Sequence, residues 1–249
     1  MDRNTHLSRV GFSLIELLVT IGVVGILLGI LLPVLASARR PAQEIKSLAN
    51  LRSIGQTLEI YLNTSQDTYP SMEPGVPYPV GIGANTLLTI GDDLGRWSTS
   101  LHWYAVVRDV APLEEHGATW LSPGVDAQAR LWDGSNFLPS YRLSMSFLAR
   151  PGVWIADTNP TPDMIRPVRR SMVAYPGLKA LMWDVERAYL RRDAQGAIDP
   201  KFKTPVLFAD GHASARHISE ATPGFPNPLN DNDSRVLHNT PGGVTGTDF

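Results

Sequence analysis

Hydrophobic positions along this chain fall into three patterns, and each predicts a different element. From Leu17 to Ala36 no residue of LLVTIGVVGILLGILLPVLA carries a charge. As a helix rising about 1.5 Å per residue, such a run spans roughly 30 Å, the thickness of a bilayer's hydrocarbon core. Between residues 42 and 63 the apolar positions become periodic. Ile45, Leu48, Leu51, Ile54, Leu58 and Tyr61 recur at steps of three or four, the spacing of an amphipathic helix that buries one stripe. The pattern therefore predicts a membrane span over 12–38 and a stem helix over 39–65. Pro33 is expected to kink or loosen the span, and Pro41 to bend the path between the two.

The third pattern lies far downstream. PVLFADGHASARHI, residues Pro205–Ile218, sets Asp210-Gly211 between two strand-like runs, a strong short-range signal for a β-hairpin. A two-residue type I′ turn would pair Ala209 with His212, Phe208 with Ala213 and Val206 with Ala215. That register gathers Val206, Phe208, Ala213 and Ala215 on one apolar face. Elsewhere in the expected globular part, 66–219, Pro70, Pro74, Pro77, Pro79, Gly81 and Gly83 mark loops. A second helix fits Leu101–Glu115, and short apolar segments follow at Ser140–Leu148 and Leu178–Val185. Residues 220–249, rich in Pro, Gly, Asn and Asp, read as irregular surface or a mobile tail. The expected fold class is α+β: a long N-terminal helix on a small, mainly antiparallel sheet with long loops.

Composition narrows the function classes. A chain of 249 residues can bury a sizeable core. Only 18% of it is charged, with 21 glycines and 20 prolines, which suits a loop-rich body and not a coiled coil. With 22 basic against 24 acidic residues and no basic stripe, nucleic-acid binding has little support. Cysteine is absent, so a disulfide framework and a thiolate zinc site are excluded.

Glu16 breaks the N-terminal pattern. A carboxylate in an apolar helix costs about 2.5–3.5 kcal/mol near the bilayer centre, less toward its edge, and asks for a partner. A plain membrane anchor explains the length and hydropathy of the run but not this residue. An ordinary signal peptide could be cut near Ala36-Ser37-Ala38, yet its apolar region would exceed the usual ~7–15 residues and would contain the glutamate. The basic residues Arg3 and Arg9 before the span and Arg39 and Arg40 after it give no clear orientation.

With the leader MDRNTHLSRVG and the string Gly11-Phe12-Ser13-Leu14-Ile15-Glu16, the segment resembles type IV prepilins and type II secretion pseudopilins. The resemblance implies cleavage after Gly11 by a prepilin peptidase and N-methylation of Phe12. Leader 1–11 would then be cytoplasmic, the span would cross the inner membrane once, and the C-terminal bulk would be extracytoplasmic. Glu16, four residues beyond the new ammonium, could neutralise its own terminus or a neighbouring subunit's. Gly22, Gly25 and Gly29 share a helical face, and Gly25–Gly29 has the spacing that permits close helix approach, although glycine is also common in membrane helices. Pro33 resembles a proline of many pilin stems.

Further segments resemble the large prepilin-like group with a C-terminal DGH signature. NLRSIGQTLEIYLNTSQDTYP is similar to that group's stem-to-loop segment, and WLSPGVD to its Cys-Pro-Ser-Asp segment, with Ser122 in place of cysteine. VLFADGHA matches its closing hairpin, placing Asp210, Gly211 and His212 in the turn. Pro200 stands where that group often has histidine, so no role for that histidine carries over.

Other candidate chemistry is sparse. His212 and His217 would point to opposite faces of a strand and make a poor metal pair. Asp184 and Glu186 would share a strand face and could contribute to calcium binding, but calcium takes six to eight oxygens. No nucleophile elbow, Walker loop, HExxH or dinucleotide fingerprint is present. The six tryptophans suit core anchors more than a sugar platform. The expectation is a non-enzymatic structural or assembly subunit of a pseudopilus or pilus-like system, with pilin-like subunits as partners and no cofactor. The alternative is a membrane-tethered binding module, for instance for polysaccharide.

Overall fold

The computed structural model describes residues 13–82, 86–132 and 136–249. Gly11, Phe12 and Gly83 lie outside the described residues. The chain forms two compact units, divided after Ala42.

Helix α1, Leu14–Thr64, runs without interruption through Pro33 and Pro41. Both segments thus belong to one helix, and neither proline ends it. A proline removes one bond from the ladder, but its fixed φ is itself helical, so the bonds on either side can carry the element across.

In the second unit, α1 buries Ser47, Asn50, Leu51, Ile54, Gly55, Thr57, Leu58 and Leu62. The predicted stripe is correct at its centre and wrong at its start. Ile45 is exposed, while Leu48 and Tyr61 are half-buried against the core. Polar Ser47 and Asn50 take the buried positions at this end of the stripe because carboxylate and phenol groups of the body face them.

Beyond α1 lie β1 (Pro77–Pro79) and β2 (Leu87–Thr89), paired antiparallel, then α2 (Thr99–Val106), α3 (Leu113–His116) and α4 (Ala127–Trp132). The single helix expected over Leu101–Glu115 is therefore two short ones, since Pro112 is extended and caps the second. Strands β3 (Tyr141–Leu143), β4 (Ala180–Asp184), β5 (Thr204–Phe208) and β6 (Ala213–Arg216) form an antiparallel sheet in chain order. The α+β class and the long helix on a small antiparallel sheet agree with expectation.

Both faces of this sheet are apolar. Leu143, Leu181, Met182, Leu207 and Ala213 face α1 and an aromatic cluster built from Trp103, Tyr104, Trp120 and Phe137. Ala180, Trp183, Val206 and Phe208 belong to a second core completed by Leu237. A bulge between Ala180 and Met182 allows both assignments in one strand, because the extra residue resets the alternation of sides. Gly55 lets α1 sit close to β5, since a Cβ there would stand 3.1 Å from a Leu207 methyl.

The hairpin exists, but its register is one residue away from the expected one. Leu207 pairs with Ala213, Val206 with Ser214 and Pro205 with Ala215. The turn is a three-residue loop: the Gly211 N–H donates to the Phe208 carbonyl and the Phe208 N–H to the His212 carbonyl. Only Gly211 has positive φ, at 88°, as in a type I turn closed by a glycine bulge. Because side chains alternate, the shift moves Ala213 and Ala215 to the Leu207 side and leaves Val206 and Phe208 on the other. A side chain at Gly211 meets no atom within 4 Å, so the obstacle there is backbone conformation alone. Gly211→Val is expected to destabilise the fold by about 1–3 kcal/mol. Thermal melting of the full chain in detergent checks this, and an unchanged midpoint would contradict the turn assignment.

Residues 220–249 are irregular in secondary structure, as expected, but they are not a loose surface tail. Asn227, Leu237, His238, Asn239, Thr240, Val244 and Asp248 are all buried. This segment covers the second face of the sheet, which would otherwise expose Trp183 and Phe208.

Candidate functional site

The described part of the N-terminal unit is helical from Leu14 onward. Every residue from 13 to 42 is exposed, and the best window of α1 has a mean hydropathy of 2.8 with none of it buried. By length and composition it is one candidate membrane span. An added Cβ at Gly25 or Gly29 meets nothing within 4 Å, so that glycine face is open. Pro33 lacks the N–H that this helical position would donate to the Gly29 carbonyl.

Glu16 has a local role at the helix start in addition to the one expected of it. Its carboxylate accepts the Ser13 N–H at 2.9 Å, while Ser13 Oγ accepts the Ile15 N–H at 3.2 Å. The two side chains therefore satisfy otherwise orphaned donors at the start of α1 in a capping box. The signal was present as Ser13-Leu14-Ile15-Glu16, the S-x-x-E spacing. Glu16 thus serves the helix start whatever else it pairs with.

At the other end of the sequence, the DGH turn is self-contained. Asp210 Oδ1 accepts the His212 N–H at 3.1 Å and lies 2.6 Å from His212 Nδ1. The imidazole stacks on Phe208, with centroids 4.3 Å apart and planes 4° from parallel. These contacts give His212 a structural role in the turn. Gly211 and Asp210 also border an open groove of about 620 Å³ along Arg52, Gln56 and Ile60 of α1.

Asp184 is the centre of a buried polar network. Its Oδ2 accepts Ser47 Oγ–H at 2.8 Å and Ser122 Oγ–H at 2.7 Å; its Oδ1 accepts the N–H groups of Arg187 and Glu186 at 2.7 and 3.1 Å. Asn50 donates to the Tyr141 hydroxyl at 3.2 Å beside it. Burial raises the Asp184 pKa, and the hydrogen bonds from Arg187, Ser122 and Ser47 oppose that rise. Ser122 thus shares the Asp184 Oδ2 with Ser47 of the stem helix and also accepts the Ala188 N–H at 3.1 Å.

The calcium reading of Asp184 and Glu186 is corrected by the same geometry. Strand β4 ends at Asp184, so the two carboxylates do not sit on one strand face. Both Asp184 oxygens are occupied by protein donors, and Glu186 is engaged by Arg130 at 3.0 Å and by Ser140. Among the described residues no group of three or more His, Asp or Glu side chains is placed to share a metal ion. Trp97, Trp103, Trp120, Trp154 and Trp183 are buried and act as core anchors. No family model, curated protein or solved structure matches the chain.

Proposed function

We infer that this chain is a membrane-anchored structural or assembly subunit of a type II secretion pseudopilus or type IV pilus-like apparatus, processed by a prepilin peptidase. In this reading the leader is cytoplasmic, the span crosses the inner membrane, and the body from Gln43 onward is exported. Other pilin or pseudopilin subunits are its partners. The observation that carries the reading is the string GFSLIE at the head of a helix whose apolar side chains are exposed throughout the first unit. A soluble monomer rarely leaves so large a continuous apolar surface to water. Lipid, and the spans of neighbouring subunits, would cover it.

Processing supplies the direct test. Intact-mass measurement of membrane-extracted protein is expected to find a chain beginning at Phe12 and carrying one methyl group. A start at Ser37 or Arg39 would instead identify an ordinary signal peptide.

Glu16 separates assembly from capping. Glu16→Gln keeps an oxygen for the Ser13 N–H but loses the charge, whereas Glu16→Ala loses both. If the carboxylate neutralises a neighbour's ammonium, leaving that ammonium unpaired costs roughly 3–5 kcal/mol. Both variants then incorporate into filaments about a hundredfold less well, as measured by shear recovery at matched membrane abundance. If Glu16→Gln assembles like wild type while Glu16→Ala fails, the residue acts through the cap alone.

A further inference from the structure

The fold gathers at one end of the body a set of cations that the sequence keeps apart. Strand β4 ends at Asp184 and its antiparallel neighbour β5 begins at Thr204, so the connection 185–203 closes that end of the sheet. Ser47 of α1 donates to Asp184 there at 2.8 Å, which sets the adjacent Lys46 at the same end. The opposite end carries the Asp210-Gly211 turn, next to Gln56 and Ile60 of α1.

The connection has a fixed tip. Arg192 and Ile198 form an antiparallel bridge, Asp193 Oδ1 accepts the N–H groups of Gln195 and Ala197 at 3.0 and 2.7 Å, and Gly196 supplies a positive φ of 81°. Residues 187–203 hold five basic side chains against two acidic ones, in a chain whose net charge is −2. Lys201 is paired with Asp199 at 2.6 Å, and Arg192 donates to the Gly196 and Glu186 carbonyls. Lys46, Arg191 and Lys203 are exposed, and among the described residues none of the three makes an ion pair. Ile45, the stripe position that the body leaves 66% exposed, precedes Lys46.

We propose that this end of the body docks on anionic phospholipid headgroups through Lys46, Arg191 and Lys203. The inference rests on the membrane-anchor reading, because the chain itself then brings the patch to the bilayer. Lys46 follows Ala36, the end of the charge-free run, by ten residues, a reach of at most about 36 Å. A lipid surface presents many negative charges at once, and each Lys or Arg brought near it shifts the docking equilibrium about fivefold. Three such groups together shift it on the order of a hundredfold. The attraction fades beyond a Debye length, about 8 Å at physiological salt, so it acts on this end of the body and not on the far one. Docking also gives the exposed Ile45 an apolar boundary to meet.

The test uses the full chain in lipid nanodiscs made of phosphatidylcholine alone or with a one-third share of phosphatidylglycerol. Phenylglyoxal labels exposed arginines, so Arg191 reports on the patch. Arg169, exposed and bridged to Thr68 beyond the C-terminal end of α1, is the reference. Phosphatidylglycerol is expected to slow Arg191 labelling about tenfold or more relative to Arg169. Salt near 1 M, where the Debye length falls to ~3 Å, should abolish the difference. The double variant Lys46→Gln/Lys203→Gln changes two exposed side chains and keeps the reporter; it should lose most of the protection. Equal labelling in both lipids, slowing that salt does not relieve, or full protection in the double variant would each overturn the proposal. Slowing in neutral discs only when several copies share one disc would assign the patch to contacts between subunits, and would overturn it too. A chain that fails to enter discs at all would instead refute the anchor, and this inference with it.

Discussion

Replacing Asp248 with alanine is expected to destabilise the folded body by about 3–5 kcal/mol, the usual cost of leaving a buried charge without its partner. Asp248 and Lys179 are 1% and 0% exposed, with Nζ and Oδ2 3.1 Å apart. Thr240 bridges them, accepting from Lys179 and donating to Asp248 Oδ1 at 2.6 Å, and Asp248 Oδ2 also accepts the Ala180 N–H at 2.9 Å. Burial pulls the Lys179 pKa down, against the pull of Asp248 upward. Without Asp248 the ammonium must stay charged and unpaired, lose its proton or draw in water. Each route weakens the seal of the C-terminal segment on β4. Urea unfolding of the full chain in detergent measures the loss, and a change below about 1 kcal/mol would contradict it. Adding Lys179→Met should recover much of the stability, because apolar replacement of both members removes the stranded charge.

Acid should weaken the same region through His238. Burial, followed by the positive charge of Arg235, lowers the imidazole pKa from 6.5 to about 3. Arg142 also opposes protonation and Asp233 favours it, while Ser100 faces the ring from α2. The unfolded chain takes up this proton near pH 6.5 and the folded chain only near pH 3. Stability from this group is therefore complete above about pH 6.5 and declines as the pH falls toward 3. The expected slope is about 1.4 kcal/mol per pH unit. Asp184, whose pKa is raised by burial, contributes in the opposite sense, so the comparison needs a reference. His238→Gln should flatten the difference in unfolding free energy between pH 6.5 and pH 4.5 relative to wild type. Parallel profiles for the two proteins would show that the imidazole is not held neutral.

Much of the architecture was legible because it depends on local periodicity. A charge-free run long enough for a bilayer and a stripe at steps of three and four require few distant contacts to be recognised. The Asp210-Gly211 turn is likewise a local signal. The capping role of Glu16 was equally local, and its S-x-x-E spacing was available to be read. Other features depended on which distant group arrived opposite which. The stem buries Ser47 and Asn50 because Asp184 and Tyr141 meet them there, more than ninety residues away in sequence.

The hairpin shows where the division falls. Sequence by itself determined that a turn stands at Asp210-Gly211, since few other pairs reverse a chain so readily. Tertiary structure decided whether the loop has two residues or three, because both faces of β5 are buried and the α1 side needs Leu207. An amphipathic pattern specifies register only when one face is wet, and PVLF is apolar throughout. The C-terminal segment follows the same logic. Its Pro, Gly, Asn and Asp content determined that it would not be regular, but irregular backbone can still be buried when its polar groups find partners. Those partners are the Lys179 ammonium, the Leu178 carbonyl and the Ala180 amide, which reach Asp248 from 68 to 70 positions earlier in the chain.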